Sequence, residues 1–223
     1  MSKPTETQIE PFDPYVESPS ENLVLSVPQN NRPAPLSNEE GEYSWMDNVI
    51  VGNDQGYTSS CAFQAIANWA EIMQPGKRIL DDERIKVYRE ACEREGRNGG
   101  GFTFQMAFYY SKLAGWLPDN AEGIIPTRKM STLAEQPILA GYSVHRQWNT
   151  VKNDGIISSY SGRLIAYHGV CLVAYGFQGE EDPTPWHYHV GSWGIKWAYK
   201  GMARLTGNVH RDTVMEMWKV VFS

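Results

Sequence analysis

The chain has 223 residues, 41% apolar and 12% aromatic, enough for one well-buried domain or two lobes around a cleft. Its net charge of −6 lies wholly in residues 1–42, where Glu6, Glu10, Asp13, Glu17, Glu21, Glu39, Glu40 and Glu42 face only Lys3 and Arg32. Residues 43–223 therefore balance at zero, which excludes the basic excess of a nucleic-acid binder, and no apolar run reaches the ~18 residues of a membrane span.

The first 42 residues also hold seven of the 13 prolines, so they read as an extended acidic arm rather than a folded domain. Ile9, Phe12, Tyr15 and the Val24–Val27 segment are its isolated apolar residues. They suit either a strap docked on a protein partner or a solvated tail. The opening Met-Ser-Lys-Pro carries no apolar signal core, so classical secretion is not expected.

Apolar residues then recur at Phe63, Ile66, Ala67, Trp69, Ala70 and Met73, a helical rhythm ended by Pro75-Gly76. Ser59 and Ser60 offer capping hydroxyls at its start. Cys61 falls in the first turn, where the helix dipole and free N–H groups favour a thiolate. Asp81 to Glu95 reads as a second helix, and Gly99-Gly100-Gly101 as a backbone-exposed loop. Thr103 to Ala114 reads as a third helix, with Phe104, Ala107, Phe108 and Leu113 inward. After about residue 136 the texture becomes strand-like, over Ile138–Tyr142, Arg163–Phe177, Trp186–Trp193, Met202–Leu205 and Met217–Phe222. Helices first and an antiparallel sheet second is an α+β order.

Gln55, six residues before Cys61, and the distant His168 supply what thiol acyl transfer needs: a nucleophile, a base and an oxyanion donor. Each has a plainer alternative, since most lone cysteines are small core hydrophobes and most lone histidines are satisfied core groups. Cys92 and Cys171 are expected in the core. His187 and His189 share one face of a strand, but no third ligand accompanies them, so no metal site is expected.

Four ordered segments carry a resemblance: Gln55-Gly56-Tyr57-Thr58-Ser59-Ser60-Cys61, Asn98-Gly99-Gly100, Tyr167-His168-Gly169-Val170 and Ser192-Trp193-Gly194. Together they resemble the papain-like cysteine peptidases, over roughly residues 43–206. From Asp54-Gln55 to Glu71 the chain follows, without a gap, a pattern found in many bacterial relatives, which puts the nucleophile at Cys61 and not Ser60. The resemblance implies a two-lobed α+β domain over residues 43–223. Its helical lobe would span about 55–118 and its antiparallel sheet or barrel lobe about 136–222. It implies a peptide or protein substrate, with Cys61 as nucleophile, His168 as base and Gln55 as oxyanion donor. Gly99 and Gly100 would pair with an extended peptide, Trp193 and Trp197 would wall the cleft, and no metal or organic cofactor is implied.

Tyr57 or Thr58 and Arg97 stand where secreted members of that family place a disulfide. No disulfide is therefore expected, and the implied setting is a cytoplasm or an assembly built in a reducing compartment. One departure bears on activity. Gly191 replaces the Asn that orients the imidazole in the family. Two readings follow: a Cys–His hydrolase working with a slower or differently poised dyad, or a catalytically silent papain-like fold serving as a structural or adaptor part of a large assembly such as a phage virion.

Overall fold

Thirteen consecutive residues with no exposed side chain form helix α1, Cys61–Met73. A helix buried on every side belongs at the centre of a fold, and its polar residues must then be met by protein. Gln64, Asn68 and Glu71 lie one turn apart along it and face α2, Asp81–Arg94. Helix α3, Phe104–Leu113, is capped by the Thr103 side chain, which accepts from the Met106 N–H. Coordinates for the chain come from a computed structural model that describes residues 36–37, 43–151, 154–177 and 185–223.

Two expectations about these helices are corrected. Ser60 occupies the α1 N-cap but makes no side-chain capping bond; its hydroxyl instead pairs with that of Thr58 at 2.8 Å, inside the turn that precedes the helix. Leu113 is exposed, because the inward rhythm of α3 runs Phe104, Ala107, Phe108, Ser111. Position 113 is two residues past Ser111 and so falls on the opposite side of the helix.

Nine strands pair among the described residues. Strands β1 (Leu36–Ser37) and β2 (Tyr43–Ser44) precede the helices; β3 (Ala121–Pro126), β4 (Ile138–His145), β5 (Ile156–Ile157), β6 (Leu164–Phe177), β7 (Pro185–Val190), β8 (Met202–Thr206) and β9 (Val214–Phe222) follow them. The main path runs β3-β9-β4-β6-β7-β8-β5, with β2 joined to β6 and β1 to β2. Every pairing is antiparallel except β5 with β8, which is parallel. A short helix, α4 (Gly207–Thr213), links β8 to β9. The sheet is open, with β3 and β5 at the ends of its path, so the sheet form and not the closed barrel is found. It also begins earlier than residue 136, at β3, and recruits β2 from before the helices.

Helix α1 lies against β6 at unusually close range. A Cβ placed on Gly169 of β6 would stand 3.3 Å from the Ala62 backbone and 3.1 Å from the Phe104 ring. This contact carries the start of α1 onto the sheet. Within the predicted arm, Leu36–Ser37 pairs with Tyr43–Ser44; Ile9, Phe12, Tyr15 and Val24–Val27 lie outside the described residues. No helix among the described residues is long and apolar enough to cross a membrane.

Candidate active site

Two chain segments join in front of α1. The N–H of Gln55 donates to the Ser192 carbonyl at 2.9 Å, and the N–H of Gly194 donates to the Asn53 carbonyl at 3.0 Å. This short antiparallel clasp, which includes the Asp54–Trp193 bridge, brings the Gln55 and Ser192-Trp193-Gly194 motifs together although 137 residues separate Gln55 from Ser192. The Gln55 amide is fixed at both ends. Its Nε2 donates to the Thr58 carbonyl at 2.7 Å, and its Oε1 accepts from the Ser192 hydroxyl at 2.5 Å. That bonding assigns the amide orientation and leaves the second Nε2 proton for another acceptor.

Cys61 opens α1, and its thiol is hydrogen-bonded by the backbone of Gly169, the residue after His168. Neither ring nitrogen of His168 has a hydrogen-bond partner among the described residues, so the thiol reaches the His168 segment through the Gly169 backbone and not through the imidazole. The His168 ring stacks on the Trp193 indole, with centroids 4.2 Å apart and planes 25° from parallel. Trp193 in turn meets Trp197 edge-on at 4.6 Å.

Protonation differs from the thiolate expectation. Burial pushes the Cys61 thiol up to about 11, against the backbone hydrogen bonds of Gly169, Ala62 and Cys61 that favour the anion. Burial likewise holds His168 well below the usual imidazole range, with a smaller contribution from the charge of His189. Both side chains are 0% exposed, so desolvation outweighs the helix N-terminus and favours a neutral thiol and a neutral imidazole.

Gly99 and Gly100 form an exposed loop with φ of 90° and 93°, in the left-handed region that suits glycine. The Gly100 carbonyl is already taken by the Tyr88 hydroxyl at 3.0 Å. Gly191 has no side chain, and a Cβ added there would come 3.1 Å from Cζ3 of Trp197. The edge of the Trp197 indole therefore borders the space an orienting side chain at position 191 would enter.

One residue near the thiol went unread in the sequence. In register across three strands, Glu216 of β9 pairs with Gly141 of β4, and Gly141 pairs with Gly169 of β6. The Glu216 side chain folds over Gly141, whose added Cβ would lie 2.9 Å from its Cγ. Burial raises the Glu216 carboxyl to about 7, opposed by the Trp218 Nε1–H that donates to Oε2 at 2.7 Å. Its charge adds to the forces that keep the Cys61 thiol protonated. Glu216 also lines a cavity of about 580 Å³ with Pro126, Arg128, His210, Val214 and Trp218. Cys61 and His168 do not line that cavity. Only the strand register places Glu216 here, so no local sequence signal announces it.

The cysteines Cys61, Cys92 and Cys171 are all free and buried. His187 and His189 are both buried, but His187 stacks on His210 at 3.7 Å while His189 lies edge-on to Trp148 at 5.7 Å. Among the described residues no three His, Cys, Asp or Glu side chains are grouped to hold a metal ion.

No family model matches the sequence, and no curated protein matches it significantly. Solved structures do match. The proform of the Amb a 11 cysteine protease, a major ragweed pollen allergen, aligns with a TM-score of 0.62 at 18% identity, over 82% of this chain and 65% of that one. This chain thus spans just under two thirds of the ragweed proform. Digestive procathepsin L 3 from the larval midgut of Tenebrio molitor aligns with a TM-score of 0.58 at 17% identity, over 88% of this chain and 76% of that one. The bromelain protease from Ananas comosus, in complex with the E64 inhibitor, aligns with a TM-score of 0.52 at 13% identity, over 82% of this chain and 99% of that one. At these identities the likeness is one of fold, and the fold is the papain-like α+β fold of cysteine proteases.

Proposed function

We propose that the chain is a papain-like thiol hydrolase that cleaves peptide bonds. The observation that carries this reading is the hydrogen bond between the Cys61 thiol and the Gly169 backbone, which puts a cysteine at a helix start beside the His168 segment. Cys61 attacks the scissile carbonyl carbon as His168 takes the thiol proton. The oxyanion is held by the free Nε2 proton of Gln55 and the Cys61 backbone N–H. His168 then returns the proton to the leaving amine, and water releases the acyl group. Gly99 and Gly100 border the path of an extended peptide, and Trp193 and Trp197 wall it beside the imidazole. Because burial favours the neutral forms, the reactive thiolate–imidazolium form requires that water or substrate reach the two side chains.

Alkylation by iodoacetamide, mapped by peptide mass, tests this reading. Cys61 should react about tenfold faster than Cys92 or Cys171, and His168→Ala should remove that advantage. Equal labelling of the three cysteines in the folded protein would sink the hydrolase reading.

A second reading has its own support. Cys61 and His168 are completely buried, and Gly191 offers no orienting side chain. Both fit a papain-like fold retained as a silent structural or adaptor component of an assembly made in a reducing compartment, attached through residues 1–42. On that reading, a chain lacking residues 1–42 stays soluble but is no longer incorporated, and Cys61 shows no kinetic advantage.

A further inference from the structure

A catalytic imidazole that accepts a thiol proton presents an N–H on its other nitrogen, and that N–H needs an acceptor. Gly191 supplies none, and the edge of the Trp197 indole borders the space a side chain there would use. His168 is buried, and neither of its ring nitrogens has a hydrogen-bond partner among the described residues. The same is true of both ring nitrogens of His189. A buried imidazole left unpaired is costly, and two in one region call for a common explanation.

The two rings flank one aromatic cluster. Trp193 stacks on His168 at 4.2 Å and meets Trp197 at 4.6 Å. His189 lies 6.1 Å from Trp197 and 5.7 Å from Trp148, while Trp148 stands 6.4 Å from Trp193. His189 precedes Gly191 by two residues, at the spacing that returns a strand to the same face. We infer that His189 is the positioning residue of His168: its neutral imidazole accepts the outward N–H of His168 through one buried water, in place of the side chain that Gly191 lacks.

Two further observations agree. Burial lowers His189 to about 3, so it remains a neutral acceptor across the working range of a thiol enzyme. Trp148 Nε1 is a fifth buried polar atom without a partner, and a bridging water needs two to four polar partners. Tyr142 and Trp148 stand at 81° and 73° to the His189 ring, 5.8 and 5.7 Å away, so aromatic surface surrounds its remaining N–H.

This inference rests on the Cys61–His168 reading, and the experiment separates the two. The full chain, labelled with ¹⁵N in its histidine rings, is examined at pH 7.5 without electrophile. A slowly exchanging, low-field N–H of His168 is expected, and its absence would overturn the proposal. His189→Leu should abolish that resonance and slow Cys61 alkylation by about tenfold or more, whereas His189→Gln, which keeps an acceptor, should retain the resonance and most of the rate. A His189→Leu protein with the His168 resonance and alkylation rate unchanged would also overturn it. If His189→Leu does not fold, the wild-type spectrum decides alone. Failure of His168→Ala to slow alkylation would instead reject the hydrolase reading and leave the His168–His189 link to the spectrum.

Discussion

The helical and sheet regions bury polar side chains in opposite ways. Between α1 and α2, Arg84 is fully buried, with Nη1 donating to Gln64 Oε1 at 3.1 Å and Asn68 Oδ1 at 2.7 Å, and Nε to the Ile79 carbonyl at 2.8 Å. Its Nη2 forms an ion pair with Glu71 Oε2 at 2.8 Å, while Glu71 Oε1 accepts the Ile79 N–H at 2.7 Å. Asn53 reaches Asn68 at 2.7 Å, tying the segment before Gln55 into the same network. The sheet region instead buries His168, His187, His189 and His210 among aromatic rings. The parallel His187–His210 stack, 3.7 Å between centroids, is tolerable only while the rings are uncharged. Charge stabilises the first region once paired; the second is stable through the exclusion of charge.

The largest predicted effect is therefore acid loss of the sheet region. Burial lowers His187 to about 4 and both His189 and His210 to about 3; the charges of His187 and His189 add to the burial at His210. Below about pH 6.5 the unfolded chain binds protons that the folded chain refuses, so stability is full above that pH and falls beneath it. At pH 5 each of these histidines contributes a loss of about 2 kcal/mol, on the order of 6 kcal/mol together. Chemical denaturation at pH 7.5 and pH 5 measures it, and His187→Phe, which keeps a ring in the stack, should recover roughly a third of the loss. A pH-independent midpoint would break the contrast.

Next in size, Arg84→Met should cost about 3–5 kcal/mol by leaving Glu71 buried without its partner, and should lower the thermal midpoint by about 10 °C. That cost should be similar at pH 6.5 and 8, unlike the histidine effect. A loss below about 1 kcal/mol would mean the network is dispensable.

The smallest effect concerns Glu216, the carboxylate that the sheet region holds close to the thiol. Glu216→Gln removes a charge that raises the Cys61 pKa, so Cys61 alkylation should quicken by about twofold above pH 7. Below the Glu216 pKa of about 7 the native side chain is already largely neutral, and the difference should fade. A change of equal size at pH 6 would assign it to packing instead.

What could be read from the sequence follows from how local each signal is. Helix α1 was legible because its large apolar residues recur at helical spacing, and α2 and α3 because their burial repeats every three to four residues. Strand β3 escaped because Gly123 interrupts it and Pro126 ends it, and α4 because Val209 is its only buried apolar side chain. Cys61, Gln55 and His168 could be proposed because each sits in a short motif. The clasp between residues 53–55 and 192–194, the Glu216–Gly141–Gly169 row and the desolvation that keeps the thiol neutral all arise from long-range pairing, which no window of sequence contains.

The fit of Trp197 against Gly191 has a consequence for the routes open to mutation. With Cζ3 only 3.1 Å from an added Cβ, an Asn introduced at position 191 must displace an indole that also bonds the Trp148 carbonyl through Nε1 at 3.2 Å. The outcome thus depends on its background: it turns on whether Trp197 can give by a few tenths of an ångström, and a smaller residue at position 197 would relieve the contact. The chain is held on the glycine side of that choice by the packing of a neighbouring indole.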